Sequence, residues 1–505
     1  MDSPLLSAPE RRRSDLYAAS LALCALLLFT YLALCIHPLG FFGGGYDDEQ
    51  YVRAGINWIE HFPYLGDTHW ALRHPFNLLL ALAYLVSGVS QEASVVAGDA
   101  PIFALVVVTF LAIRITFDTA TACLTCVFVA SLPLIARGAV AIEPTELFLS
   151  VTSLWCFVFS AKKSDSMLLL ALSGVLLGLA WQTRETSGAL VLLYGLSFAF
   201  FPIFPRKNYA VLAVAAAAPI LLEMSYYYVR VGDIFYRYHV DANHIHLSKA
   251  AQMLNRGANY GLPLFNLSVA RSWQPSDDFF HVNWIVDPYL SLFASPKAGF
   301  VALISLVGVG TWRWSERPSF RTPLGLFLTA GVIWFLFATY VLTIRPEPRY
   351  YSFTFYSASL IAASGLVNLF RRRFHLLAAA LFVGLVSSNF VFVDLGERNQ
   401  EAYDLVAYLR SHQTGIFIPK ELSAQFDVGH RDARLVSYLL SQPKKGALVL
   451  GLKKSCPAES TWCSASEPSA VSIVLKSAGL EKFFSERAWQ RIERRRSVAI
   501  LTETQ

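Results

Sequence analysis

The sequence predicts an all-α polytopic membrane protein of about eleven transmembrane helices, followed by a small α/β domain on the extracytoplasmic side. Three observations predict it. Of 505 residues, 55% are hydrophobic and only 15% are charged, whereas soluble globular proteins carry about 25% charged residues. Apolar runs close to the ~20 residues that cross a bilayer recur from the N-terminus to about residue 393. Lys and Arg gather in short clusters between those runs, the pattern of cytoplasmic loops. A net charge of +6 raises the question of nucleic acid, which is bound by basic stripes on a folded face. Here the basic clusters alternate with apolar segments, and no nucleic-acid partner is expected.

Arg11, Arg12 and Arg13 precede the first apolar run, about 16–36. It is longer than a signal-peptide core and lacks a small-residue cleavage pattern, so it reads as a retained span. An outer loop, 37–99, follows. Within it 76–86 is apolar but too short to cross and reads as an interfacial or half-inserted helix. Spans near 100–114 and 118–136 leave Arg114 inside, and 146–161 ends at Lys162 and Lys163. Spans 167–182 and 187–204 end at Arg206 and Lys207, and 209–228 leads into a second outer loop, 229–296. Spans 298–312 and 322–343 flank Arg313, Arg317 and Arg321; 351–370 and 374–392 flank Arg371, Arg372 and Arg373. Every basic cluster between close spans thus falls on one side. Counting 76–86 as a crossing would put Arg114 and Lys162–Lys163 outside.

The division is therefore a membrane domain, 1–393, and a soluble domain, 394–505. In the latter Ala402, Leu405, Val406 and Leu409 recur at helical spacing, and GIFIP, ALVLGL, SIVL and SVAIL read as short strands. It carries no phosphate-cradling glycine loop. Cys24, Cys35, Cys123, Cys126 and Cys156 lie in apolar segments and behave as small hydrophobes. CLTC at 123–126 has no second pair nearby for a zinc site. Cys456 and Cys463 stand in the soluble segment, where a bridge requires an oxidising compartment.

The residues able to do chemistry concentrate at the predicted outer boundary. GGGYDDEQY, 43–51, sets Asp47, Asp48 and Glu49 just beyond the first span. Asp47 suits a helix N-cap with Gln50 three residues on, and Glu49 suits the helix dipole. Asp48 is surplus to both roles. Acids at a membrane edge can take a proton from a hydroxyl or bind a divalent cation. Val52, Ile56, Ile59 and Phe62 then share one face of an interfacial helix. Glu143 precedes Pro144 at a helix start, where an acid favours the dipole. Arg184, Arg345 and Arg349 fall on the outer side, which the positive-inside rule disfavours. A planar guanidinium suits a phosphate diester; the alternative is an interfacial anchor paired with Glu347 or Glu185. YHVDANHIH, 238–246, fits no zinc spacing and reads as a solvated loop. Trp273, Asp277 and Asp278 are candidates for shaping an acceptor site, and Asn266-Leu267-Ser268 is a glycosylation acceptor triplet.

In their order and sidedness these segments resemble the GT-C superfamily of polytopic glycosyltransferases. They are most similar to the branch holding protein O-mannosyltransferases and the aminoarabinose transferase of lipid A. Asp48, Glu49 and Tyr51 match an Asp-Glu pair followed by an aromatic residue in the first outer loop. His74-Pro75, in RHPFNLLLALAYL, matches a later motif, with Phe76 replacing its second proline. ARGAVAIEPTELFL sets Glu143 where the family usually has Asp, and GLAWQTRETSG sets Arg184 where it usually has Lys. RPEPRYY, 345–351, resembles the basic-aromatic turn of a late span. The resemblance covers about residues 15–370. It implies a polyprenyl-phosphate-linked sugar donor and a lipid, glycan or protein hydroxyl acceptor, with inversion at the anomeric carbon. Asp48 would be the general base with Glu49 beside it. Arg345, Arg349, Arg184 and Tyr350 would meet the donor phosphate, and Tyr51 and His74 would line the acceptor side. A divalent metal cation, Mg or Mn, would be shared by Glu143 and Asp48. The implied location is a bacterial inner membrane, with the site on the periplasmic face. An O-antigen polymerase or ligase would rely instead on arginines and histidine in later loops. A secondary transporter would show mid-membrane charges and internal repeats, whereas the acids and arginines singled out above cluster at one interface and neither half of the chain echoes the other.

Overall fold

The computed structural model describes residues 8–36, 46–136, 140–162, 166–242, 287–293, 299–311, 322–342, 348–392, 400–423, 426, 428–431, 433–453, 456–464, 476–477, 479 and 498–503. The described residues of the membrane part are mostly helical. In order its helices are α1 (Ala8–Ile36), α2 (Tyr46–Glu60), α3 (His74–Ser87), α4 (Gln91–Thr116), α5 (Thr119–Ser131), α6 (Pro133–Ala136), α7 (Ile142–Lys162) and α8 (Met167–Thr183). There follow α9 (Gly188–Phe200), α10 (Tyr209–Val231), α11 (Tyr236–Ala242), α12 (Asp287–Phe293), α13 (Gly299–Gly310), α14 (Pro323–Leu336), α15 (Ser352–Arg371) and α16 (His375–Phe392).

A helix stands at each expected span. Six are long and apolar enough to cross a membrane by length and composition: Tyr17–Leu34, Glu92–Thr116, Ile142–Ala161, Arg206–Val231, Pro323–Val341 and Pro348–Arg371. The other expected spans, in α5, α8, α9, α13 and α16, are shorter apolar helices. α3 has 14 residues, about 21 Å at 1.5 Å per residue, against a hydrocarbon core of about 30 Å.

Several boundaries differ from the sequence expectation for local reasons. α4 starts at Gln91 rather than near residue 100, because the Ser90 hydroxyl accepts from the Ala93 N–H and caps the helix early. The expected span 118–136 breaks after Ser131, where Pro133 has no N–H to continue the ladder. α2 starts at Tyr46, so Asp47 lies inside its first turn and is not its cap. It ends at Glu60, which leaves Phe62 beyond the helix and exposed. Its buried side runs through Tyr51, Val52 and Gly55. A Cβ on Gly55 would lie 2.8 Å from the Leu80 Cβ of α3, so glycine lets these two helices close.

Small residues set two further helix pairs. On α8, Gly174 and Gly178 form a small-xxx-small stripe of the kind that brings membrane helices together. A Cβ at either would lie 2.4 Å from an α10 carbonyl, that of Leu212 or of Ala216. On α15, a Cβ at Gly365 would lie 2.3 Å from Gly308 Cα of α13. Overpacking typically costs 1–3 kcal/mol, and here backbone has to move. Gly178→Val is therefore expected to lower the unfolding midpoint of the purified protein in detergent. Gly195→Val on α9, whose added Cβ meets nothing within 4 Å, should leave it nearly unchanged; equal losses would contradict the packing argument.

The C-terminal segment has its own core, with Leu405, Val406, Leu409, Ile416, Leu450 and Leu501 buried together. α17 (Gln400–His412) packs beside a five-stranded sheet of order β2-β1-β3-β5-β4. The strands are β1 (Ile416–Phe417), β2 (Leu439–Leu440), β3 (Leu448–Lys453), β4 (Trp462–Cys463) and β5 (Val498–Glu503). β1 runs parallel to β2 and β3, and β5 antiparallel to β3 and β4. GIFIP, ALVLGL and SVAIL supply β1, β3 and β5, whereas SIVL lies outside the described residues. β2 and β4 have two residues each, too few to show alternation. Cys456 is joined to Cys463 by a disulfide.

Candidate functional site

The turn after α8 organises the site. Arg184 ends the helix, its N–H bonded to the Ala180 carbonyl at 2.9 Å, in an extended conformation (φ −160°, ψ 141°). Successive side chains on extended backbone point to opposite sides. Arg184 and Glu185 accordingly enter two different clusters.

On one side Arg184 Nη1 lies 3.0 Å from Glu143 Oε1 and 3.8 Å from Glu146 Oε2. These acids are three residues apart at the start of α7, hence on one face. The Thr186 hydroxyl also donates to Glu146. The guanidinium stacks over the Tyr350 ring, 4.7 Å from its centre, and Arg349 approaches the same ring at 5.1 Å. Tyr51 of α2 is near enough to interact electrostatically with Arg184, and its own ring meets Phe76 edge-on at 5.6 Å. Arg184, Glu143 and Glu146 are all buried.

The fold therefore brings Arg184, Glu143, Tyr51, Arg349 and Tyr350 into one neighbourhood, from four separate chain segments. The backbone of Asp48 and Glu49 lies in the first turn of α2, but their side chains are outside the described residues. Arg345, His244, His246, Asn266, Trp273, Asp277 and Asp278 lie outside them too.

On the other side of the turn is a network the sequence did not suggest. Arg237 of α11 is buried and bridges Glu185 and Glu223 at 3.0 Å each. It also donates to the carbonyls of Leu72 (3.2 Å) and Gln182 (3.1 Å). Arg73 pairs with Glu185 and reaches the His69 ring at 3.0 Å. His69 Nδ1 lies 2.9 Å from Asp241. His74 joins through Tyr227 (2.6 Å) and Glu223 (3.3 Å), which places it in this cluster and not beside Arg184.

Burial, and then the Arg73 charge, push the His69 imidazole below its ordinary value, while Asp241 partly offsets them. In the neutral tautomer that carries its proton on Nδ1, the ring donates to Asp241 and accepts from Arg73 at Nε2. Burial alone would raise the Glu185 carboxyl, but Arg73 and Arg237 hold it well below the usual carboxylate range. The anchor alternative, Arg184 paired with Glu185, is not what forms. Glu185 is held by Arg73 and Arg237, and Arg184 turns to Glu143 and Glu146.

Sequence reasoning overlooked Glu146, Glu223 and Arg237, and it read Asp241 as part of a solvated loop, whereas Asp241 lies in α11 and meets His69. Two signals were available: Glu146 repeats Glu143 at a spacing of three, and Glu223 is a lone acid within an apolar run. Arg237 carried none, because its partners are distant in sequence.

A divalent cation needs several oxygen ligands around an open position. Among the described residues no group of three or more His, Cys, Asp or Glu side chains assembles such a site. Glu143 and Glu146 already face the Arg184 guanidinium. The described residues do not fit a metal there.

No family model and no curated protein matches the sequence. Solved structures do match in fold, and all are of polytopic membrane proteins. One is the archaeal oligosaccharyltransferase AglB from Archaeoglobus fulgidus, in complex with an inhibitory peptide and a dolichol-phosphate. Its TM-score is 0.51 at 15% identity, over 83% of this chain and 64% of that one. A second structure of the Archaeoglobus fulgidus oligosaccharyltransferase, complexed with Zn and sulfate, has a TM-score of 0.51 at 15% identity, covering 81% and 61%. ArnT from Cupriavidus metallidurans, bound to undecaprenyl phosphate, has a TM-score of 0.50 at 12% identity over 95% of this chain and 97% of that one. These neighbours are GT-C superfamily glycosyltransferases. The present chain spans 64% of the length of AglB.

Proposed function

We propose that the chain is a glycosyltransferase that moves a sugar from a polyprenyl-phosphate carrier to a hydroxyl of a lipid, glycan or protein acceptor. The observation that carries this reading is the convergence of Arg184, Arg349, Tyr350 and the α7 acids beside α2, the helix that bears Asp48. Asp48 takes the proton of the acceptor hydroxyl. The acceptor oxygen then attacks the anomeric carbon as the bond to the phosphate oxygen breaks, and the carrier phosphate leaves with the electron pair. The configuration inverts. Arg345 and Arg349 neutralise the departing phosphate, where planar guanidinium suits two oxygens at once. Arg184 adds its charge to that field, Tyr350 orients Arg184 and Arg349, and Tyr51 stands toward the acceptor.

Dolichol-phosphate and undecaprenyl phosphate in the neighbouring structures support a lipid-phosphate donor. The Cys456–Cys463 disulfide supports an oxidising, non-cytoplasmic side for the C-terminal segment. With the basic clusters inside, this is the non-cytoplasmic face of the membrane. The test is transfer from radiolabelled polyprenyl-phosphate sugars to membrane glycolipids, glycans or protein by the purified, reconstituted chain. Label leaving the carrier for an acceptor is expected. Flux of an unmodified solute without transfer would end the enzyme reading.

A further inference from the structure

We propose that Arg184 is a built-in replacement for a divalent cation: its guanidinium neutralises the paired acids at the start of α7, and the site works without bound metal. A single nitrogen, Nη1, faces both carboxylates, 3.0 Å from Glu143 and 3.8 Å from Glu146. Two acids three residues apart on one helical face present oxygens to a common point, which is where a shared cation would sit. Mg²⁺ binds oxygen at about 2.0–2.1 Å in near-octahedral geometry with several waters. The guanidinium leaves no room for that shell and would repel the ion. Thr186 donates to Glu146, and the Tyr350 ring covers a guanidinium face at 4.7 Å.

The cation is also held in place from behind. Glu185, the next residue, is gripped by Arg73 and Arg237, and Arg184 itself caps α8. The backbone from which the guanidinium extends is thereby fastened by two ion pairs. A fixed positive charge therefore supplies the electrostatic part of a metal's work, without the exchangeable ligand positions of a metal.

The activity part of this inference rests on the transferase reading; the metal-binding part does not. The test is Mn²⁺ binding to the purified chain, read by the loss of the free Mn²⁺ spin-resonance signal. The native chain and Arg184→Lys should leave Mn²⁺ free. Arg184→Ala should take up one Mn²⁺, and Arg184→Ala/Glu143→Gln should lose it. In the transfer assay EDTA should change native turnover less than twofold. Stoichiometric Mn²⁺ binding by the native chain that Glu143→Gln abolishes would overturn the proposal. Failure of folded Arg184→Ala to bind Mn²⁺ would overturn it equally. Folding is checked by gel filtration, and if Arg184→Ala does not fold, the native chain and its Glu143→Gln variant decide alone. Absence of transfer in every sample would count against the enzyme reading while leaving the Mn²⁺ result decisive.

Discussion

Asp48→Asn is expected to reduce sugar transfer by about 10²–10⁴-fold, the usual contribution of a positioned general base, with little change in unfolding midpoint. The substitution keeps shape and removes only the ability to take a proton. Asp48 lies in the first turn of α2, three residues or about one helical turn before Tyr51, and Tyr51 is buried and interacts with Arg184. The helix thus carries the backbone of position 48 toward the arginine cluster. Steady-state rates with the reconstituted variant settle the matter. Near-normal turnover would move the base elsewhere.

Arg237→Leu is expected to produce the largest loss of stability, about 3–5 kcal/mol, because removing one partner leaves buried charge uncompensated. Glu185 and Glu223 would both lose a cation at 3.0 Å, and two backbone carbonyls a donor. Transfer should fall with it, since the turn bearing Arg184 is fastened through Glu185. Unfolding in detergent is the measurement, and Arg237→Gln/Glu223→Gln should recover part of the loss, as coupled partners do. For comparison, Arg371 and Asp118 pair at 3.1 Å with side chains 63% and 31% accessible. Breaking that pair should cost less than about 1 kcal/mol. Similar losses at the two positions would show that the Arg237 network carries no special weight.

Much of the helical layout was legible because hydrocarbon imposes a simple requirement on composition: long apolar runs separated by basic clusters. The boundaries were less so, since they turn on single hydrogen bonds, such as Ser90 capping α4, or on one missing N–H, as at Pro133. Arg184, Glu143, Tyr350 and Tyr51 could be singled out because charged or aromatic residues stood at an unfavoured boundary or in a short familiar motif. The pairings among them were not legible. The sequence offered Glu185 as the neighbour of Arg184, yet an extended backbone at Arg184 sends adjacent side chains apart. The Arg237 network was invisible for a related reason. Its members come from positions 69–74, 185, 223–227 and 237–241, and no local pattern links them.

All of this requires the α2 helix, the turn at Arg184 and the segment at Arg349 to face one aqueous compartment, opposite the basic clusters. Cysteine labelling with a membrane-impermeant reagent tests it directly, in a chain whose cysteines other than 456 and 463 are replaced by alanine. Asp67→Cys, in the exposed loop after α2, and Gln442→Cys, exposed in the C-terminal segment, should react in intact cells. Arg372→Cys, at the far end of α15 from Arg349, should react only after permeabilisation. Labelling of Arg372→Cys from outside, or protection of Asp67→Cys, would separate the acids from the arginines proposed to bind phosphate and contradict the account.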